Sequence, residues 1–322
     1  MNINTFNIPK RLLKFGLIGC MSTTLITACE FDRDDSDLIT GSLSIAITDA
    51  PIDDLAAVFL SFKGLSVFTA SGEETEILFD EPKLIDMLTL QNGVSTDLIT
   101  EHTLKAGSYK YAAFNIDFNE SYVVTDAANG SENISLMVSN HRGPVSVLLD
   151  LFLRDPNADL PTASFEISQD SNTALTFDLD LRKSIFQEDG MSHLSFSPSI
   201  RSVITDEAGE ITGSIPLSQF TLDNDCQNLG SSEGAAVYIF SGNNATPKDI
   251  RGNLSDPFSI ASVTNSRDYT LAFLPAGEYT IALTCESHLD TVDNKETLNF
   301  LEEQNITVSA GVSSEYNFPE NI

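Results

Sequence analysis

LTFDLDLR, residues 175–182, is the stretch whose reading decides the fold class. Leu175, Phe177, Leu179 and Leu181 recur at every second position, with Thr176, Asp178, Asp180 and Arg182 between them. A repeat of two is that of side chains along a β-strand; an α-helix, at 3.6 residues per turn, would scatter those four apolar groups around its axis. The alternation predicts a half-buried strand, with its leucines and phenylalanine in a core and its charged face in water.

Outward from there the same pattern returns. Leu43, Ile45 and Ile47 share one face of GSLSIAITDA (41–50). Val58, Leu60 and Phe62 repeat it, then Leu65 and Val67 after a glycine, and Ala112, Phe114, Ile116 and Phe118 follow. Short period-2 segments separated by turn residues indicate an all-β chain. Helix signals are confined to one or two short turns around Asn92-Gly93, within residues 83–104. A chain of 322 residues suits two domains, each large enough for its own core. The polar run DEAGE (206–210) separates them, so the expectation is one β-sandwich over 41–206 and a second over 207–322. One phrase recurs on both sides of that boundary: HTLKAGSYKYAAFNI (102–116) and AFLPAGEYTIALTC (272–285). Each reads as a hairpin in which Gly107 or Gly277 supplies the turn's backbone angles.

Upstream of the first strand lies an export signal. Lys10, Arg11 and Lys14 precede the mostly apolar run 15–28, which is too short to span a bilayer as a helix. ITAC (26–29) resembles a lipobox; the rival LIGC (17–20) leaves only five residues between Lys14 and its cysteine. The signal peptide is therefore 1–28, and its resemblance to bacterial lipoproteins implies acylation at Cys29, a membrane anchor of two or more chains. Glu30 rather than Asp follows the cysteine, which favours the outer membrane, and residues 29–40 form an acidic tether. Removing the signal takes three of the 17 basic side chains and none of the 47 acids, so the mature body carries about −33. Such a charge repels nucleic acid and anionic lipid and aids solubility. Of the four cysteines only Cys226 and Cys285 remain in the body, an even pair in a compartment that permits disulfides.

The nucleophile motif SxxK and the phosphate-binding and zinc motifs GxxxxGK and HExxH are absent. His102, His141, His193 and His288 fall singly in turn-like or strand-flanking places and read as surface residues. Asp49, Asp53 and Asp54 cluster where the first strand ends. They read either as hard oxygen ligands for Ca2+ as a cofactor, or with Asp49 as a cap on a turn or helix start before Pro51. Asp223 and Asp225 beside Cys226 allow the same two readings, while an EF-hand count from Asp32 fails at Asp37 and Leu43.

Two family resemblances follow from particular residues. ITDAPIDDLAAVFLSFKGLSVF (47–68), KLIDMLTLQNG (83–93), LKAGSYKYAAFNI (104–116) and HLSFSPSIRSVI (193–204) together resemble the bacterial family called domain of unknown function 4382. Ala113-Phe114 departs from it, where many members show an arginine. That resemblance implies a lipoprotein or cell-surface setting and no settled activity. ITGSI (211–215), AAVYIFSG (235–242), YTLAFLPAGEYTIALTC (269–285) and ITVSAGVSSEYNF (306–318) resemble transthyretin-like, or carboxypeptidase-regulatory-like, sandwiches, which are non-catalytic accessories. Cys285 keeps the inward phase of Tyr279, Ile281 and Leu283, so a partner from the 223–230 loop would bridge to it.

These readings converge on a non-enzymatic, lipid-anchored envelope protein with a binding or structural role toward an envelope, glycan or protein ligand. A carbohydrate-binding lipoprotein is the first alternative and requires an exposed aromatic row such as Tyr109, Tyr111 and Tyr122. The second is a hydrolase with an unrecognised acidic site, which requires acids converging in a cleft.

Overall fold

The first strand, β1 (Thr40–Ala50), runs parallel to the strand that decided the fold class, pairing Leu43 with Thr173 and Ala50 with Asp180. In the computed structural model the described residues are 39–52, 55–125, 133–138, 147–150, 164–187, 193–222, 234–250, 257–292 and 295–320. The chain continues through β2 (Leu55–Thr69), β3 (Glu74–Asp86), β4 (Thr96–Lys105), β5 (Gly107–Ile116), β6 (Tyr122–Thr125) and β7 (Asn133–Val138). Then come β8 (Val147–Asp150), β9 (Phe165–Ile167), β10 (Asn172–Asp180), β11 (Ile185–Phe186), β12 (Leu194–Phe196) and β13 (Ile200–Ile204). These thirteen strands build a four-stranded sheet, ordered β13-β10-β1-β4, and a nine-stranded sheet on which β2 pairs with β3, β5 and β6. One core lies between the two sheets, with Leu43, Ile45, Phe62, Phe114 and Phe177 among its most buried members.

After a 3-10 turn at Thr205–Glu207 a second set of sheets begins. It comprises β14 (Gly209–Ser214), β15 (Ala236–Ser241), β16 (Ser259–Ser262), β17 (Asp268–Leu274), β18 (Gly277–Thr284), β19 (Phe300–Val308) and β20 (Ser313–Glu315). The orders are β17-β14-β20 and β16-β15-β18-β19, and no sheet is shared with the first set. Ile211, Val237, Ile239, Leu271, Tyr279 and Ile281 form its core. The chain is thus all-β, with two sandwiches, and residues 39–322 make one compact unit. Among the described residues helix is limited to short stretches such as α1 (Leu181–Ser184), α2 (Leu217–Leu222) and the 3-10 turn Met87–Leu90 next to Asn92-Gly93.

The two Ala-Gly phrases are not hairpins. β4 pairs with β1 while β5 pairs with β2, and β17 pairs with β14 while β18 pairs with β15, so each phrase carries the chain from one sheet to the other. Gly107 has φ +148°, but Gly277 is not among the described glycines with positive φ. What the two corners share is a tyrosine. Tyr109 donates its hydroxyl to the Lys105 carbonyl at 2.9 Å, and Tyr279 donates to the Pro275 carbonyl at 2.8 Å. Each bond spans four residues and ties the start of one strand to the end of the strand it left, the device of a tyrosine corner.

The strand at 175–182 also differs from expectation, on one face. Leu175, Phe177 and Leu179 face the core as read, and Leu181 is buried in α1. The face expected to be wet is covered as well: Thr176, Asp178, Asp180 and Arg182 are all at most 7% exposed. The strand stops at Asp180, whose side chain accepts the Lys183 N–H and caps α1, so Arg182 stands on a helical turn. The cover comes from the second sandwich, in particular Phe258, Pro257 and the end of β17.

Candidate functional site

The acids gather where β1 and β10 run side by side, Asp178 and Asp180 on that covered face and Asp49 in the inward phase of Ile45 and Ile47. Parallel pairing sets Thr48 opposite Asp178 and Ala50 opposite Asp180, with Asp49 between them. Asp178 forms an ion pair with Arg201 of β13, which crosses to the second sandwich: its Nη1 donates to the Phe273 carbonyl at 2.7 Å and its Nη2 to the Ala272 carbonyl at 3.3 Å. The guanidinium lies 4.9 Å from the centre of the Phe258 ring, a cation–π contact. Lys183 binds Asp180 at 3.0 Å and donates to the Pro257 carbonyl at 2.7 Å. Arg182 donates Nε to the Pro51 carbonyl at 3.2 Å and Nη1 to the Ser287 carbonyl. Three cations of the first sandwich thus reach backbone oxygens of the second.

Asp49 accepts the Leu181 N–H on Oδ1 at 3.3 Å, so it does bind a backbone donor, though one 132 residues away rather than in its own turn. Its Oδ2 and the Oδ1 of Asp178 are buried without a hydrogen-bond partner. Burial pushes the Asp49 carboxyl well above the usual carboxylate range, and neighbouring Asp178 and Asp180 push it further. Burial also raises Asp178, against the opposing pull of Arg201. Between Asp178, Asp180, Lys183, Arg201 and Phe258 lies a crevice of about 70 Å³, room for a few waters.

Of the other sequence-derived site residues, Cys29, Asp53, Asp54, Asp223, Asp225, Cys226 and His141 lie outside the described residues. Cys285 is buried beside Tyr279, Ile281 and Leu283 in the second core, at the position its phase required. Among the described residues no group of three or more His, Cys, Asp or Glu is placed to hold a metal ion.

The expected aromatic row does not form. Tyr109 is buried and stacks on Phe165, with ring centres 5.5 Å apart, because pairing with β2 slips between Tyr111 and Tyr109 and turns Tyr109 inward. Tyr111 is exposed and Tyr122 half-buried, at different ends of the sheet. The face that carries them holds other apolar groups that sequence reading missed. Rows of register across it run Glu74–Phe68–Tyr111, Glu76–Ser66–Ala113, Leu78–Gly64–Asn115, Leu84–Ser61 and Asp86–Phe59–Tyr122. Leu78 is 62% exposed, Leu84 51% and Tyr111 37%. Phe59 stacks on Tyr122 at 4.8 Å. The signal available in sequence was β2 itself, where Phe59 and Phe68 hold the phase opposite to its buried residues.

Residues 40–198 match the family described as Domain of unknown function (DUF4382), which bears out the resemblance of the N-terminal part. No curated protein sequence matches the chain. Solved structures similar to it include the Bacillus anthracis TIE protein, at 12% identity and a TM-score of 0.21 over 87% of this chain and 34% of that one. The chain therefore spans about a third of that protein. Others are the minor pilin GBS52 of Streptococcus agalactiae (9% identity, 86% and 94% covered, TM-score 0.20) and the major pilin subunit of Bacillus cereus (10%, 88% and 100%, 0.20). At such TM-scores these likenesses carry no argument.

Proposed function

We propose that this chain is a non-enzymatic lipoprotein of the cell envelope, anchored through acylated Cys29, whose two sandwiches present a binding face away from the membrane. One observation carries the reading: a single face of the nine-stranded sheet leaves Leu78, Leu84 and Tyr111 in solvent beside half-buried Phe59, Phe68 and Tyr122. Soluble proteins rarely leave such groups contiguous unless something docks there. Asp178 and Asp180, by contrast, are already engaged by Arg201 and Lys183, and Asp49 by the Leu181 N–H. That supports binding over hydrolysis. A carbohydrate ligand is the second reading, favoured only by the aromatic pair Phe68 and Tyr111 on neighbouring strands.

Anchoring is tested by mass spectrometry of the purified protein. A first residue of Cys29 carrying acyl chains is expected, and an intact Met1 overturns the address. Binding is tested with full-length protein in detergent, wild type against Leu78→Ser with Leu84→Ser, offered to solubilised envelope fractions. The wild type retains a component that the variant releases; equal retention by both removes the face from the proposal.

A further inference from the structure

The same sheet face has a shape and a charge. Along β2 its outward positions are Phe59, Ser61, Lys63, Gly64, Ser66 and Phe68, so two aromatics bracket Ser61, Gly64 and Ser66, with Lys63 drawn to Asp117. Ser61 and, on β5, Ala113 are buried between larger neighbours and form a floor. Gly64 is dictated by the bulge in β2: a Cβ there would sit 2.3 Å from the Ile77 carbonyl of β3. The result is a trough along β2, about 25–30 Å long at ~3.3 Å per residue, walled by Leu78 and Leu84 on one side and Tyr111, Asn115 and Tyr122 on the other.

The β3 wall is acidic. Glu73, Glu74, Glu76, Asp80 and Glu81 are all exposed. Glu74 and Glu76 flank the Phe68 end and form no ion pair among the described residues. The nearby bases are mostly engaged: Lys63 binds Asp117 at 2.6 Å, and Lys83 donates to the Asp97 and Leu98 carbonyls of β4. Lys110, beside Tyr111, is exposed. A second copy of this chain would set Glu against Glu on a body already strongly negative, and anionic lipid or acidic polysaccharide would meet the same repulsion. A cationic occupant gains where these lose.

Building on the binding reading above, we propose that this trough takes an extended polypeptide segment with lysine or arginine at one end and apolar residues at every second position of the rest. The apolar side chains cover Leu78, Leu84 and the aromatic ends, while the cations meet Glu74 and Glu76. An extended segment of about eight residues spans the distance.

The test uses full-length protein in detergent micelles and a labelled ten-residue peptide with lysines at one end and valine at every second position of the rest, followed by anisotropy. A peptide with glutamine for lysine and a neutral β-glucan oligosaccharide are offered in parallel. Three variants are compared: Leu78→Ser with Leu84→Ser, Glu74→Gln with Glu76→Gln, and Asp206→Asn with Glu207→Gln, which removes two exposed charges elsewhere. All substitutions are at exposed positions, and an unchanged melting temperature checks folding. The first two pairs weaken the cationic peptide about tenfold each, the third leaves it unchanged, and the glutamine peptide binds at least tenfold more weakly. Equal loss in the third pair means attraction to bulk charge and overturns the proposal, as does indifference to the leucine pair. Oligosaccharide binding that the leucine pair abolishes, without peptide binding, replaces the occupant. An envelope component still held by both trough variants ends this inference and leaves the binding role standing at another surface.

Discussion

Tyr109 and Tyr279 each stand two residues after a glycine, and each hydroxyl is held by a carbonyl four residues back. Phenylalanine at either position keeps the ring in its core but leaves the Lys105 or Pro275 carbonyl without that donor. A buried hydrogen bond of this kind contributes about 1 kcal/mol, so Tyr109→Phe and Tyr279→Phe should each lower stability by roughly 1 kcal/mol in denaturant titration. An unchanged midpoint for both would reduce the corner to simple packing. Asp290 sets a pH dependence. It accepts the Tyr238 hydroxyl at 2.8 Å and the Ile250 N–H at 3.0 Å, yet burial lifts its carboxyl to about 6. The folded chain holds that proton up to about pH 6, whereas the unfolded chain releases it near the ordinary value of 3.8. The contribution to stability is therefore largest in acid, falls as pH rises from about 4 to about 6, and is flat above. Asp49, raised for the same first reason, acts in the same direction. Asp49→Asn keeps an acceptor for the Leu181 N–H while removing a charge that would be buried. It should raise the melting temperature at pH 7 and weaken the fall seen in wild type as pH rises from 4; an equal or lower value at pH 7 would show that the carboxylate is better satisfied than its geometry indicates.

At the scale of the strand, periodicity reported one face of β10 correctly and misreported the other. Leu175, Phe177 and Leu179 were legible because the pleat alone sends alternate side chains to one side. The fate of Asp178 and Asp180 was not, because their cover comes from Pro257, Phe258 and the carbonyls of Ala272 and Phe273, residues about 80–95 positions downstream that no local pattern registers. Bulges hid the rest: the slip in β5 turned Tyr109 inward, and the one in β2 kept Phe59 and Phe68 on a common face across a change of phase. Sequence therefore located the acid at Asp49 but not the bases that engage its neighbours, and it missed the exposed trough. The Asp178–Arg201 pair allows a direct measurement. Arg201→Met leaves Asp178 buried without its cation and should cost about 3–5 kcal/mol, whereas Arg201→Met combined with Asp178→Leu should recover much of that loss. A double variant no better than the single would place the value of Arg201 in its bonds to the second sandwich rather than in the pair.

For the molecule as a whole, the two sandwiches have separate sheets and separate cores, joined by a four-residue passage from Ile204 to Gly209. Chain connectivity alone would let them unfold independently. The junction opposes that, because Arg182, Lys183 and Arg201 all lie in the first sandwich and all donate to backbone carbonyls of the second. The Asn92-Gly93 turn adds a packing contact: a Cβ on Gly93 would lie 3.2 Å from both Ala272 and Thr270. If one sandwich unfolds, these cations lose several acceptors and the face holding Thr176, Asp178 and Asp180 is opened to water, so the loss is felt in the sandwich that remains. Calorimetry should then show one transition for the wild type. A second cross-link is proposed inside the downstream sandwich, where Cys285 is buried at the end of β18 and a bridge to Cys226 would close a loop of about 60 residues, worth on the order of 4 kcal/mol. The two devices act on different parts of the curve. Reduction, or Cys226→Ser, destabilises the second sandwich and, through the junction, lowers the single transition without dividing it. Lys183→Met with Arg201→Met uncouples the sandwiches, and the single transition divides, the upper one keeping its response to reductant if the second sandwich is the more stable. Two resolved transitions in the unaltered protein would mean that the buried cations orient the sandwiches without coupling them.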